Sequence, residues 1–264
     1  MRSTTPAGQR FLTAIQSTYV DLDRWRARAA TTEPPQPGSE LAVDDQVFPR
    51  HPISEVARMS LVLAGEHLRL ARDAIEAGQL YPSAHFTLLR GGLVGAAQAV
   101  WVLGPAERAK RQERGLTVLS EMHTQMRKYY RRLEDFNLSE EERRGLVEQQ
   151  SWLTARIEKV ATIRTGRSAL NLTDEVIPEA LDLVFPDAAQ RQEGRALWAL
   201  MSGDAHVLGW STATRGHVGP TDRTSGLAEG AVGGSFAQIA QPFMASHGLL
   251  RAGWSLFDRR CEGL

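Results

Sequence analysis

Cysteine is almost missing from this chain: Cys261 is the single one in 264 residues. It can form no disulfide within itself and no cysteine-built metal cluster, and a reducing, cytoplasmic setting is the expectation. Charge of one sign is missing as well. The 31 Lys and Arg are balanced by 31 Asp and Glu, so no overall field attracts nucleic acid or an anionic membrane. Long apolar runs are lacking too. The longest, Gly91 to Gly104, is interrupted by Gln98 and falls short of the roughly 20 residues of a bilayer span, so it reads as a buried core helix and no membrane contact is expected. The amino-terminal stretch has no continuous apolar block and is charged from Asp21 onward, unlike a secretory signal.

Alternating β-branched runs are nearly absent, while proline and glycine cut the chain into helix-length pieces. The expected fold class is all-α, a multi-helix bundle with a long antiparallel helical hairpin. Residues 7–30 predict one amphipathic helix through Phe11, Ile15, Tyr19 and Leu22. The proline-rich stretch 31–52 that follows predicts a linker unable to continue a helix. Pro52 to Gly78 predicts a second helix whose two apolar stripes, one with Val56, Met59, Leu63 and Leu70, the other with Leu61, Ala64, Leu68 and Ile75, should both be buried. A third, from Pro82 to Gly104, is apolar almost all round and should form the centre of the bundle.

Beyond Pro105, residues Leu119, Met122, Met126, Tyr129, Leu133 and Phe136 step by three and four, a heptad seam. Ser139 with Glu142 three positions on is a capping box that starts a fifth helix, so residues of about 105–165 predict the hairpin. A short helix ends near Phe185, and a seventh runs from about Ala188 to Gly209. Residues 211–234, with six glycines and a proline, predict a mobile loop before a last helix from Ser235 to Asp258. One domain is expected overall, with residues 1–51 as N-terminal helix and linker and 52–264 as the bundle.

The stretch MSGDAHVLGW, residues 201–210, sets Ser202, Asp204 and His206 inside an otherwise apolar helix. In a regular helix Arg191, Arg195, Ser202 and His206 share one stripe. Two readings follow for His206 with Ser202: a general acid or base or anion ligand in a pocket, or a core ring that hydrogen-bonds a neighbouring helix while Ser202 bonds back to its own backbone. Asp204 points away from His206 and should pair with an arginine elsewhere. Arg90 interrupts TLLRGGLVGAAQAVWVL and must find a carboxylate, carbonyls or a bound anion. His67, on an apolar stripe beside Glu66, is a further candidate ligand-binding residue.

Several chemistries are set aside. The seven histidines include no i,i+4 pair, and neither a zincin nor a di-iron motif occurs, so no metal is expected. Neither a phosphate-binding loop nor a dinucleotide fingerprint occurs, and no cofactor is expected. The fourth helix is locally basic, and MRKYYRR, with Arg127, Lys128, Arg131 and Arg132 around two tyrosines, could contact a nucleic-acid backbone or simply be a solvated face.

The segments LLRGGLVGAAQAVWVLGPAERAKRQERGL and LWALMSGDAHVLGW resemble an uncharacterised actinobacterial all-helical protein family. Its pattern is an Arg-x-x-Leu-Glu-x-Ala core helix, a Trp-x-Leu end, a basic helix and a later Ser-Gly-x-Ala-His-Gly element. Arg90, Leu93, Trp101, Leu103, Ser202, Gly203, Ala205 and His206 match it. Val94 stands where the pattern has glutamate and Val207 where it has glycine. More distantly the chain is similar to HEPN ribonucleases, whose Arg and His lie four to six residues apart on one helix; Arg195 and His206 are spaced more widely.

The leading expectation is a helical binding module that recognises a partner protein or small ligand through a cleft lined by the second, third and seventh helices. His67, Arg90, Ser202 and His206 would be its contacts. The competing expectation is a metal-independent HEPN-like RNA endonuclease with His206 as acid or base and Arg90 or Arg195 stabilising phosphorane charge. A homo-oligomer through the Leu119 to Phe136 seam is a further possibility.

Overall fold

A computed structural model describes residues 5–166 and 168–263. The fold is all-α, a multi-helix bundle from which a helical hairpin extends. Its helices are α1 (Pro6–Gln16), α2 (Tyr19–Ala29), α3 (Glu40–Asp44), α4 (Ile53–Glu76), α5 (Ala84–Leu103), α6 (Arg108–Leu133), α7 (Glu140–Ile163), α8 (Ile177–Val184), α9 (Ala188–Ala205), α10 (Gly209–Ala213) and α11 (Phe236–Cys261). Strands β1 (His217–Thr221) and β2 (Ala228–Ala231) pair antiparallel.

The apolar third helix of the sequence reading is α5, and α4, α8, α9 and α11 all pack on it. By length and composition α5 could cross a membrane, yet most of its apolar window is buried among these neighbours. Gly95 and Gly253 permit close approaches between these helices. A Cβ on Gly95 would lie 2.7 Å from the Ser60 carbonyl oxygen, and one on Gly253 would lie 2.6 Å from a Leu61 methyl. The core that results is continuous from Ile15 in α1 to Phe257 in α11.

The sequence reading needs correction in five places. The single first helix is broken between α1 and α2, because the hydroxyls of Ser17 and Thr18 donate to the carbonyls of Ala14 and Ile15, both at 2.7 Å. The linker holds α3, capped by the Ser39 hydroxyl, which accepts from the Ala42 N–H at 3.2 Å. Only one α4 stripe is buried. Met59, Leu63 and Leu70 are 47%, 49% and 55% exposed, since no helix covers that face along its full length. The loop 211–234 instead holds the end of α10 and the β1–β2 hairpin.

The fifth correction concerns the polar stretch at residues 201–210. α9 ends at Ala205, four residues before the expected Gly209. The Val207 N–H donates to Asp204 O at 3.0 Å and the Leu208 N–H to Gly203 O at 2.8 Å, the paired bonds of a Schellman cap. Val207 takes the left-handed position with φ 57°, the place that glycine usually fills in such a cap. A β-branched side chain there is costly.

The hairpin is capped as expected. Ser139 Oγ accepts from the Glu142 N–H at 3.3 Å, and the Glu142 carboxylate accepts from the Ser139 N–H at 2.8 Å. Its heptad seam is buried only at the base, where Leu119 meets the core; Tyr129 and Phe136 are exposed.

Arginines lock the C-terminal end of α5. Its last carbonyls lack intrahelical donors. Arg114 donates to Trp101 O at 2.8 Å, and Arg260 to Leu103 O at 2.6 Å and Pro105 O at 2.9 Å. Arg111 adds bonds to Pro105 O and Ala106 O. Each cation also has a carboxylate: Arg111 grips the fully buried Asp44 through Nε at 2.6 Å and Nη2 at 3.2 Å, while Arg114 pairs with Glu179 and Arg260 with Glu40.

Candidate functional site

The exposed stripe of α4 forms one wall of a cleft of about 520 Å³ whose other walls come from α5 and α6. That volume is in the range of small-molecule sites. α4 and α5 run antiparallel here. The His67 ring packs on Gly91, where a Cβ would lie only 2.6 Å from Nε2, and Ser60 packs on Gly95 and Gln98. Met59 and Leu63 from α4, Val94 from α5, Leu119 and Met122 from α6, and Leu170 make the lining largely apolar.

Arg90 reaches this cleft from α5 beside His67. Its Nε donates to Ser202 Oγ at 3.1 Å, and its guanidinium lies over the Trp198 ring, 4.7 Å from the centroid. Arg90 enters none of the ion pairs among the described residues. The Nη1 and Nη2 donors have no protein acceptor among those residues and are not sealed from solvent. Burial lowers its pKa with no carboxylate opposing it, although guanidinium remains charged at any ordinary pH. Of the partners open to Arg90 in the sequence, neither a carboxylate nor a main-chain carbonyl accepts from it among the described residues. The position one turn on is Val94, part of the cleft wall.

Further along the cleft floor, Ser60 and Gln98 form a defined polar pair. The Ser60 hydroxyl donates its proton to Val56 O at 2.9 Å, so its oxygen accepts from Gln98 Nε2 at 2.8 Å. The amide is thereby oriented, and Gln98 Oε1 is left without a partner among the described residues. Glu55, His51 and Glu121 lie at the same end. The rings of His51 and His123 are 6.2 Å apart, edge to face. His123 is 1% exposed with neither ring nitrogen hydrogen-bonded among the described residues. Burial, the neighbouring His51 and Arg156 push its pKa down to about 4. His51 is lowered in the same direction, chiefly by burial.

The sequence candidates thus fall into separate places. Arg90 and His67 share the cleft, and Ser202 meets Arg90 from α9. Ser202 does not bond back to its backbone. His206 is neither in the cleft nor in the core: it is the exposed C-cap of α9. Arg195 is held by Asp182 at 2.8 Å on the surface. Asp204 has its expected arginine. Arg215 grips it through two bonds of 2.8 and 2.7 Å, donates to Pro82 O and stacks on Phe86, tying α9 and the β-hairpin to α5. Arg127 is half-buried, and Lys128, Arg131 and Arg132 are exposed at the outer end of α6, where cations complement the helix dipole.

Sequence reasoning missed Gln98, Ser60 and the cleft's acidic end. Gln98 was visible as the one interruption of the apolar run. Ser60 and Glu55 carried no signal, because a lone serine or glutamate on a helix is ordinary. No family model, curated protein or solved structure matches the chain.

Proposed function

We propose that this protein is a binding module for a small amphipathic anion, which the cleft between α4, α5 and α6 receives with Arg90 as its charged anchor. The carrying observation is Arg90 itself: a half-buried guanidinium with two free donor nitrogens at the edge of an apolar cavity. A guanidinium removed from bulk water gains most from an anion that supplies the missing acceptors. Met59 and Met122 suit an aliphatic body, since thioether chains adapt to irregular shapes. The position of the Trp198 ring against the guanidinium face fixes the arginine's orientation. His67 adds a second polar group beside it.

The test is calorimetric titration of the protein with monomeric dodecanoate and, in parallel, dodecanol. Dodecanoate should bind more tightly than the alcohol, and Arg90→Gln should remove that difference, a loss of about tenfold or more for a charge-assisted pair. Equal binding of acid and alcohol by the native chain, or binding of the acid unchanged in Arg90→Gln, overturns the reading.

A further inference from the structure

Hydrogen-bond polarity differs between the two ends of the cleft. At the Arg90 end the free charged groups are donors, the Nη1 and Nη2 atoms, beside the His67 ring. At the other end they are acceptors. Gln98 presents Oε1 because its amide nitrogen is committed to Ser60. Glu55 and Glu121 enter none of the ion pairs among the described residues, and the Glu121 carboxylate accepts only from Gln125 there. Arg156 acts on the nearby histidines, but its guanidinium stacks on Trp152, 3.7 Å from the ring centroid, and it pairs with neither glutamate. His51, lowered by burial, is uncharged at neutral pH and cancels neither carboxylate.

The spacing follows from helix geometry. Arg90 and Gln98 are eight residues apart on α5, about 12 Å along its axis, and Glu55 and His67 are about 18 Å apart on α4. Between them the walls are Met59, Leu63, Val94, Leu119 and Met122. An anion with a plain alkyl tail would satisfy Arg90 and leave Gln98 Oε1 facing hydrocarbon, at the cost of an unpaired acceptor.

We infer that the ligand is bipolar: an anionic group at Arg90, an apolar spacer, and a hydrogen-bond-donating or cationic group held by Gln98 Oε1 and the Glu55 and Glu121 carboxylates. This rests on the anion-binding reading above and specifies the ligand's second end. The chemical class is that of ω-amino and ω-hydroxy aliphatic acids.

The experiment is a competition series on the full chain with dodecanoate, ω-hydroxydodecanoate, ω-aminododecanoate and dodecanedioate, each in native protein, Arg90→Gln, Gln98→Met and Glu55→Gln. Circular dichroism melting of each variant confirms that it is folded. The ω-amino acid should bind about tenfold more tightly than dodecanoate, a difference typical of hydrogen bonds to charged groups, with the ω-hydroxy acid between them and the diacid weakest. Gln98→Met should narrow this order by tightening dodecanoate, whose tail no longer faces an unpaired acceptor, and Glu55→Gln should narrow it by weakening the ω-amino acid. Arg90→Gln should weaken every acid and keep the order. If dodecanoate binds through Arg90 but all four acids bind alike, or the diacid binds best, the bipolar inference fails and the anion-binding reading stands. If no acid binds, both fall.

Discussion

The two ends of α5 bring the same side chain to opposite outcomes. At the C-terminus, Arg111, Arg114 and Arg260 each hold a carboxylate together with main-chain carbonyls. Toward the N-terminus, Arg90 holds one hydroxyl and one indole face. The first three cations act as a lock that joins α3, α6, α8 and α11 to the central helix. Arg90 opens instead onto a cavity. Burial of an arginine is therefore uninformative by itself, and what distinguishes scaffold from site is how many of its donors the chain has already used.

Breaking the lock should give the largest effect. Asp44→Ala leaves Arg111 buried without its carboxylate and should destabilise the fold by about 3–5 kcal/mol in chemical denaturation; a loss below about 1 kcal/mol would show that the lock is dispensable. The open side holds its own unsatisfied group, His123, whose folded pKa is held down at about 4 against an unfolded value of about 6.5. The neutral ring is the one that folds. Its contribution is fully present above pH of about 6.5 and lost as the pH falls toward 4, up to about 3 kcal/mol. Native protein should lose melting temperature over that window, and His123→Phe should flatten the decline. His51, His85 and His247, all lowered by burial, account for the remaining slope.

The end of α9 provides a third case, in which carbonyls are satisfied by backbone N–H groups alone. Val207→Gly should relieve the positive φ and raise stability by about 1 kcal/mol, read as a higher denaturation midpoint; an unchanged midpoint would mean that valine sits there without strain. The smallest stability effect, and the sharpest change of category, belongs to Val94→Glu. It supplies Arg90 with a carboxylate one turn away, worth a few tenths of a kcal/mol. Stability should barely move while dodecanoate binding is lost, so a variant that still binds the acid would separate the cavity from the free charge.

Much of the scaffold was legible. The all-round apolarity of the segment from Pro82 to Gly104 marked α5 as central, and Ser139 with Glu142 marked the start of α7, because both signals lie within a few turns of chain. Arg90 and His67 were legible as oddities. The failures were equally specific. Continuing α9 to Gly209 turned an exposed capping histidine into a core or catalytic one, since a Schellman cap carrying valine instead of glycine gives no warning. Reading the Met59, Leu63 and Leu70 stripe as buried hid the cleft wall, because periodicity reports which residues share a face and not whether another helix covers it.

By itself the sequence determined the helices, most of their ends, the central position of α5 and the presence of an arginine in need of partners. These follow from local periodicity, capping chemistry and desolvation. Only the tertiary structure decided that Asp44 goes to Arg111, that Asp204 goes to Arg215, and that nothing anionic in the described chain goes to Arg90. Such assignments depend on which side chains distant in sequence arrive at the same place. Packing geometry settles that, and no pattern along the chain encodes it.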